Sequence, residues 1–138
     1  INFPLSIIKM ASIFTRIING EIPCYKIAED EHYFAFLDIR PLHPGHTLVV
    51  PKKETDYIFD LEDEELKGLI MFAKKVAIAI KKAIPCERIG MTVIGLEVPH
   101  THIHLSPINT IHDLDFRKAR ALSKEDMKDI AEKIKAHL

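Results

Sequence analysis

Residues 99–108 read PHTHIHLSPI, with His100, His102 and His104 at alternate positions. On an α-helix, positions i, i+2 and i+4 spread around the axis and share no face. On a β-strand all three imidazoles project to one side, with Thr101, Ile103 and Leu105 on the other. Ile103 and Leu105 suit a face turned to a core, and Pro99 and Pro107 bound the segment. The outer histidine Cα atoms of such a strand lie about 13 Å apart. A row of this kind supports three readings. It is a solvated polar face, or a metal-binding His-x-His pair, or a catalytic row. For a metal, the outer rings diverge too far to share one ion, and no cysteine pair or carboxylate is close by in sequence to complete the shell. For catalysis, a neutral imidazole is a nucleophile near neutrality once a partner holds its other ring nitrogen as N–H. Its neighbours can then contact an anion or protonate a leaving group.

Working outward, MTVIGL (residues 91–96) reads as the strand before the histidine segment, after a turn at IPCERIG. Leu66, Leu69, Ile70, Ala73, Val76, Ala77, Ile80 and Ala83 recur at helical spacing and predict a long helix over Asp60–Ala83. Its apolar face is wide, extended by Met71, Phe72, Ile78 and Ala79, which predicts burial against both the sheet and a second copy of the chain. Further upstream, CYKIAED, YFAFLDI and HTLVVP read as strands, the last ending at Pro51 because proline cannot donate to a ladder. SIFTRIING reads as a short helix capped by Ser12 and stopped by Asn19-Gly20. Downstream, NTIHDLDFRKAR is irregular, and residues 123–137 form an amphipathic helix capped by Ser123. The order α-β-β-β-α-β-β-α predicts an α+β fold with a five-stranded antiparallel sheet.

The 138 residues suit one compact domain, expected over residues 10–138. Residues 1–9 read as an upstream or expression-derived extension. Nineteen basic against twenty acidic residues give a net charge of −1, so no basic field exists to hold a nucleic-acid backbone. No apolar run is long enough to span a membrane. Cys24 and Cys86 are far apart and form no paired motif, which fits reduced thiols and a cytoplasmic protein.

The segment HTHIHLS resembles the signature of the histidine-triad (HIT) family, in which histidine alternates with apolar residues. SIFTRIINGEIPCYKIAEDE, FAFLDIRPLHPGHTLVVPKK and the long helix are similar to its Hint-like nucleotide-binding branch, and the likeness runs from Ser12 to Pro107. The resemblance implies that His102 is the nucleophile toward the α-phosphorus of a nucleotide, forming a covalent nucleotidyl-histidine that water hydrolyses. It implies phosphate and leaving-group contacts for His104 and His46, and a supporting role for His100. Asp38 would grip the ribose, and Ile13, Phe14, Ile17, Phe36 and Ile39 would sandwich the base. Without the resemblance, Phe14 and Phe36 read as core and Asp38 as a turn residue.

Two departures from that pattern stand out. Hint-like relatives carry an Asn-x-Gly…Gly-Gln-Ser stretch before the triad, replaced here by VIGLEVPH, with Glu97 near the serine position. Some bacterial relatives bind zinc through a Cys-x-x-Cys near the first helix, a histidine after the third strand and the first triad histidine. Here Ser12, Thr15 and Glu54 stand at three of those four positions, so no zinc and no other cofactor is expected. The resemblance therefore implies a homodimeric hydrolase of purine nucleoside 5′-phosphoramidates or related conjugates. Its alternative is a catalytically weak nucleotide-binding adaptor.

Overall fold

A computed structural model describes residues 11–138, and the extension expected at residues 1–9 lies outside the described residues. Helix α1 spans Ile13–Ile18, followed by β1 (Lys26–Glu29), β2 (Tyr33–Leu37) and β3 (Thr47–Pro51). Helix α2 (Asp63–Ala83), β4 (Arg88–Thr92), β5 (Ile103–Ile108) and α3 (Lys124–Lys135) complete the order. The five strands form one sheet in the order β1-β2-β3-β5-β4, every pair antiparallel. This is the α+β architecture expected from the sequence.

Period-two alternation divides the side chains of the central strands between two layers. Ala35, Leu37, Val49, Ile103 and Leu105 face a core shared with Leu69, Phe72, Val76 and Ile80 of α2 and with Met127, Ile130 and Ile134 of α3. Each large side chain fully buried there stabilises the fold by about 1.5–3 kcal/mol. Phe34, Phe36, Leu48 and Val50 form a smaller cluster with Phe14 of α1. In the β3–β5 register Leu48 lies opposite His104, which puts the histidine row beside this second cluster.

Three boundaries differ from those expected. Helix α2 begins at Asp63 rather than Asp60, because Ile58–Asp60 form a 3₁₀ turn and Leu61 enters the core with extended backbone. Asp63, Glu64 and Glu65 then occupy the first helical turn, where the backbone dipole favours negative charge. Strand β4 is Arg88–Thr92 rather than 91–96. Its register runs from Arg88 opposite Ile108 to Thr92 opposite His104, and it pairs along β5 almost to that strand's start. The loop beyond it passes through Gly95 at φ +77°, a left-handed conformation open to glycine.

The third difference is at the histidine segment itself. Strand β5 starts at Ile103, so His100 and His102 precede it instead of lying within it. Pro51 has no N–H to extend the β3–β5 ladder. Thr101 turns instead to the Thr55 carbonyl, donating its backbone N–H at 2.7 Å and its hydroxyl at 2.8 Å.

Helix α3 packs against α2 and β1, with Ile134 fully buried. Ile134→Ala should lower unfolding free energy by about 2–4 kcal/mol, as deletion of a buried aliphatic group does. Urea titration of both proteins checks this, and a loss below about 1 kcal/mol would show that α3 is not part of the cooperative core.

Candidate active site

Four buried imidazoles come from the residue before β3 and from the run of chain that enters β5. His46, His100, His102 and His104 are 1%, 0%, 7% and 8% exposed. His46 is delivered by a loop that reverses at Gly45, whose φ of +102° excludes most side chains. A Cβ there would also press on Ile84 at 3.0 Å and Pro107 at 3.3 Å.

The hydrogen-bond partners fix where each ring carries its proton, because carbonyls only accept and amide N–H groups only donate. Nδ1 of His102 lies 2.7 Å from the His100 carbonyl and must donate to it, which in the neutral ring leaves a lone pair on Nε2. The Leu42 N–H donates to Nδ1 of His46 at 3.1 Å, so neutral His46 carries its proton on Nε2. That proton points to Nδ1 of His104 at 3.0 Å, so neutral His104 carries its own proton on Nε2. The row thus holds a nucleophilic nitrogen on His102 and a hydrogen-bond donor on His104, with ring centroids 5.0 Å apart. Such a pair can attack an electrophilic centre and hydrogen-bond the anion attached to it.

Burial favours the neutral form of His46 and His104. Desolvation lowers the His46 pKa from 6.5 to about 4. It does the same for His104, aided by His46 and His102 and opposed by the Asp38 carboxylate. Asp38 titrates above its ordinary value, chiefly through burial, although the Arg40 N–H and the nearby histidines pull the other way. Its carboxylate lies 3.7 Å from Nε2 of His46, too far for a hydrogen bond. Asp38, His46 and His104 offer three ligand atoms within 4.8 Å of one another. Nε2 of His46 and Nδ1 of His104 are nevertheless joined by a single proton, which leaves no convergent lone pairs for an ion.

The aromatic expectations divide. Phe14 packs edge-on against Phe36 at 5.6 Å, His100 at 5.8 Å and His102 at 5.0 Å, with Ile17 against the same cluster. Phe14 and Phe36 are buried, whereas Ile13 and Ile39 are exposed apolar surfaces flanking them in sequence. The structure therefore brings Phe14, Ile17 and Phe36 together with the histidines and leaves Ile13 and Ile39 open to solvent.

Two features escaped the sequence reading. Phe116 lies in a 3₁₀ turn within the segment read as irregular, with its ring 4.8 Å from that of His104 and 6.2 Å from that of His46. An aromatic residue inside a polar run was the one available signal. Ser12, Thr15, Glu54 and His100, the four positions compared with zinc ligands, do converge, but as a hydrogen-bonded group. Two hydroxyls, a carboxylate and one imidazole do not fit a structural zinc, which takes thiolates and free imidazole nitrogens. Glu97 is exposed on the loop before the triad. Beside His102 that loop borders a groove of about 350 Å³ lined by Tyr57, Phe59, Val93, Ile94 and Leu96.

The HIT domain model matches residues 19–111. The chain belongs to the histidine-triad (HIT) family. An uncharacterized HIT-like protein of Methanocaldococcus jannaschii is 44% identical over 99 residues, 69% of this chain and 77% of the relative. An adenosine 5′-monophosphoramidase of Schizosaccharomyces pombe is 37% identical over 103 residues, 71% of this chain and 74% of that enzyme. Among solved structures, a HIT-like protein from Bartonella henselae superposes with a TM-score of 0.80 at 33% identity, covering 92% of this chain and 96% of the other. That likeness extends the shared HIT fold beyond the residues the domain model matches.

Buried neutral histidines make stability depend on acid. Unfolding returns His46 and His104 to about 6.5, so between roughly pH 6.5 and 4 the unfolded chain binds more protons than the folded one. Stability should therefore fall as pH drops through that window. The raised pKa of Asp38 works in the opposite sense and offsets part of the loss at the acid end. Denaturant midpoints measured from pH 7.5 to 4 check this, and His46→Gln should flatten the slope. A constant midpoint in the wild-type protein would contradict burial of these rings in neutral form.

Proposed function

We propose that this HIT protein is a hydrolase of purine nucleoside 5′-phosphoramidates or related nucleotidyl conjugates, working through a covalent nucleotidyl-His102. The reading rests on one observation above the others, the 2.7 Å contact between Nδ1 of His102 and the His100 carbonyl. That bond aims the lone pair of Nε2 outward and stabilises the positive charge the ring acquires on attack. The likeness to a phosphoramidase at 37% identity supports the same chemistry.

In this reading Nε2 of His102 attacks the α-phosphorus, and a new P–N bond forms as the bond to the leaving amine breaks. The amine departs with a proton from solvent. His104, with its Nε2–H, donates to a phosphoryl oxygen, and His46 holds His104 in that tautomer. Water then cleaves the nucleotidyl-His102 bond, releasing the nucleotide and restoring the neutral imidazole. Asp38 accepts from the ribose hydroxyls, while Ile13, Phe14, Ile17, Phe36 and Ile39 form the apolar seat of the base. No step in this sequence calls for a metal or organic cofactor. A cytoplasmic setting suits the two free cysteines, and no described helix is long and apolar enough to cross a membrane.

His102→Ala should abolish turnover of adenosine 5′-phosphoramidate and leave AMP binding nearly intact, since a nucleophile contributes to the transition state far more than to ground-state affinity. Retention of more than about a tenth of the wild-type rate, under ~1.4 kcal/mol of barrier, would remove His102 as nucleophile. AMP binding with no turnover by the wild-type protein would favour the adaptor reading.

The same proposal includes a homodimer. Ile70, Met71 and Ile78 of α2 are exposed, as is Met91 on the edge strand β4. An edge strand beside an apolar helix face offers a second copy both backbone hydrogen bonds and buried area. A stable pair of this kind buries on the order of 2,000 Å² or more. Sedimentation at micromolar concentration should return twice the 15.8 kDa chain mass, and a single-chain mass would overturn the assembly.

A further inference from the structure

Ser12 caps α1 and is itself buried, and its hydroxyl lies 2.7 Å from Nδ1 of His100. On the far side of that ring, Nε2 lies 2.7 Å from the Pro51 carbonyl. A carbonyl only accepts, so in the neutral ring the His100 proton is on Nε2 and Nδ1 is the acceptor. The Ser12 hydroxyl must then donate to Nδ1. Its oxygen receives the Thr15 N–H at 3.1 Å. The Thr15 hydroxyl donates in turn to Oε1 of Glu54 at 2.9 Å, and the Ser12 N–H donates to the same oxygen at 2.6 Å. The Ser12 hydroxyl thus donates toward His100, while the Thr15 hydroxyl and the Ser12 N–H converge on the Glu54 carboxylate.

This group matters to the reaction through the other end of His100. The backbone carbonyl of that residue receives the Nδ1 proton of His102. His100 lies outside the β-ladder, because β5 starts at Ile103. Its ring is therefore pinned between β3, through Pro51, and α1, through Ser12. Turning or displacing that ring would move the carbonyl that aims His102.

We propose that Ser12, supported by Thr15 and Glu54, is a positioning residue for the reaction, holding the ring of His100 in one orientation so that its carbonyl presents His102 for attack. The inference rests on the phosphoramidase reading for its kinetic consequence, while the tautomer of His102 can be observed without any turnover. It also gives these positions a task in place of metal binding, because both nitrogens of His100 are already engaged.

The test is a comparison of Ser12→Ala, Ser12→Thr and Thr15→Val, read by long-range ¹H–¹⁵N correlation of the histidine rings and by steady-state kinetics. Wild-type His102 should show one neutral tautomer, protonated at Nδ1 by its bond to the His100 carbonyl. Ser12→Ala should mix the His102 tautomers as that carbonyl is displaced and lower kcat by about ten-fold or more, a size usual for lost supporting hydrogen bonds. Its AMP affinity should stay within about two-fold, since the nucleotide does not touch Ser12 in this reading. Ser12→Thr, which keeps the hydroxyl, should restore both the single tautomer and the rate. Thr15→Val removes one of the two bonds to Glu54 and leaves the Ser12 N–H bond in place, and should give a smaller change in the same direction. An unmixed His102 tautomer in Ser12→Ala would overturn the proposal, as would a kcat within two-fold of wild type in that variant. A loss of rate that Ser12→Thr fails to restore would reduce Ser12 to a helix cap and also overturn it. If the wild-type protein lacks turnover altogether, the functional reading fails, and mixing of the His102 tautomer in Ser12→Ala still decides whether the network holds that carbonyl.

Discussion

Pro51 has no amide hydrogen, so the ladder between β3 and β5 stops after Val49 pairs with Ile103. The chain approaching β5 must satisfy its polar groups in another way. Thr101 does so at the Thr55 carbonyl, and His100 donates to the carbonyl of Pro51 itself. The ring of His100 is thereby tied to the end of β3, while its own carbonyl accepts from Nδ1 of His102. One residue thus links the last position of β3 to the orientation of the imidazole two positions on.

A buried row of imidazoles is unfavourable unless each ring nitrogen shut away from water has a defined partner, since an unpaired buried polar atom costs about 1–3 kcal/mol. Here the protons are arranged in two separate runs. One goes from Leu42 through His46 to His104, and the other from Ser12 through His100 to the Pro51 carbonyl. His102 stands between them, donating on one side and leaving its remaining lone pair unclaimed by either. Desolvation reinforces the result by holding His46 and His104 near pKa 4, so the rings do not repel one another at neutral pH. Neutrality is also what gives His46 and His104 one donor and one acceptor each. Protonating either would break the run it belongs to.

The sequence made the layers legible because alternation and helical spacing are local. Phe34 and Phe36 against Ala35 and Leu37, and the stripe along α2, sort correctly between the two faces of the sheet. Boundaries were less legible where a tertiary partner decides them. MTVIGL looks like a strand by composition, yet pairing with β5 selects Arg88–Thr92 instead. Asp60 suits a helix start, yet burial of Leu61 delays α2 to Asp63. The histidine spacing was visible, but the strand start that separates His104 from His100 and His102 depended on Pro51, about fifty residues earlier. The Ser12–Glu54–His100 group joins positions 42 and 88 residues apart, and no periodicity reports such a contact. Only the likeness to metal-binding relatives marked those positions, and it marked them for a different chemistry.

The same separation explains why both ends of the described chain reach the histidines. On the α1 side, Ser12 grips His100 and Phe14 packs on His102. On the other side, the segment after β5 lies largely beyond the residues matched by the HIT model, and it places Phe116 against His104. That segment is tied to the loop carrying Asp38 and His46 by two bonds. Arg40 donates from Nη2 to the Ala119 carbonyl at 3.3 Å, and the Arg120 N–H donates to the Pro41 carbonyl at 3.2 Å. Neither tie is a sheet contact, and each restrains a loop that the ladder does not reach. The sheet supplies the spacing of the triad, but it ends before His102. What fixes the rings beyond that point comes from α1 and from the segment before α3, so substitutions near either terminus can disturb the site without touching the sheet.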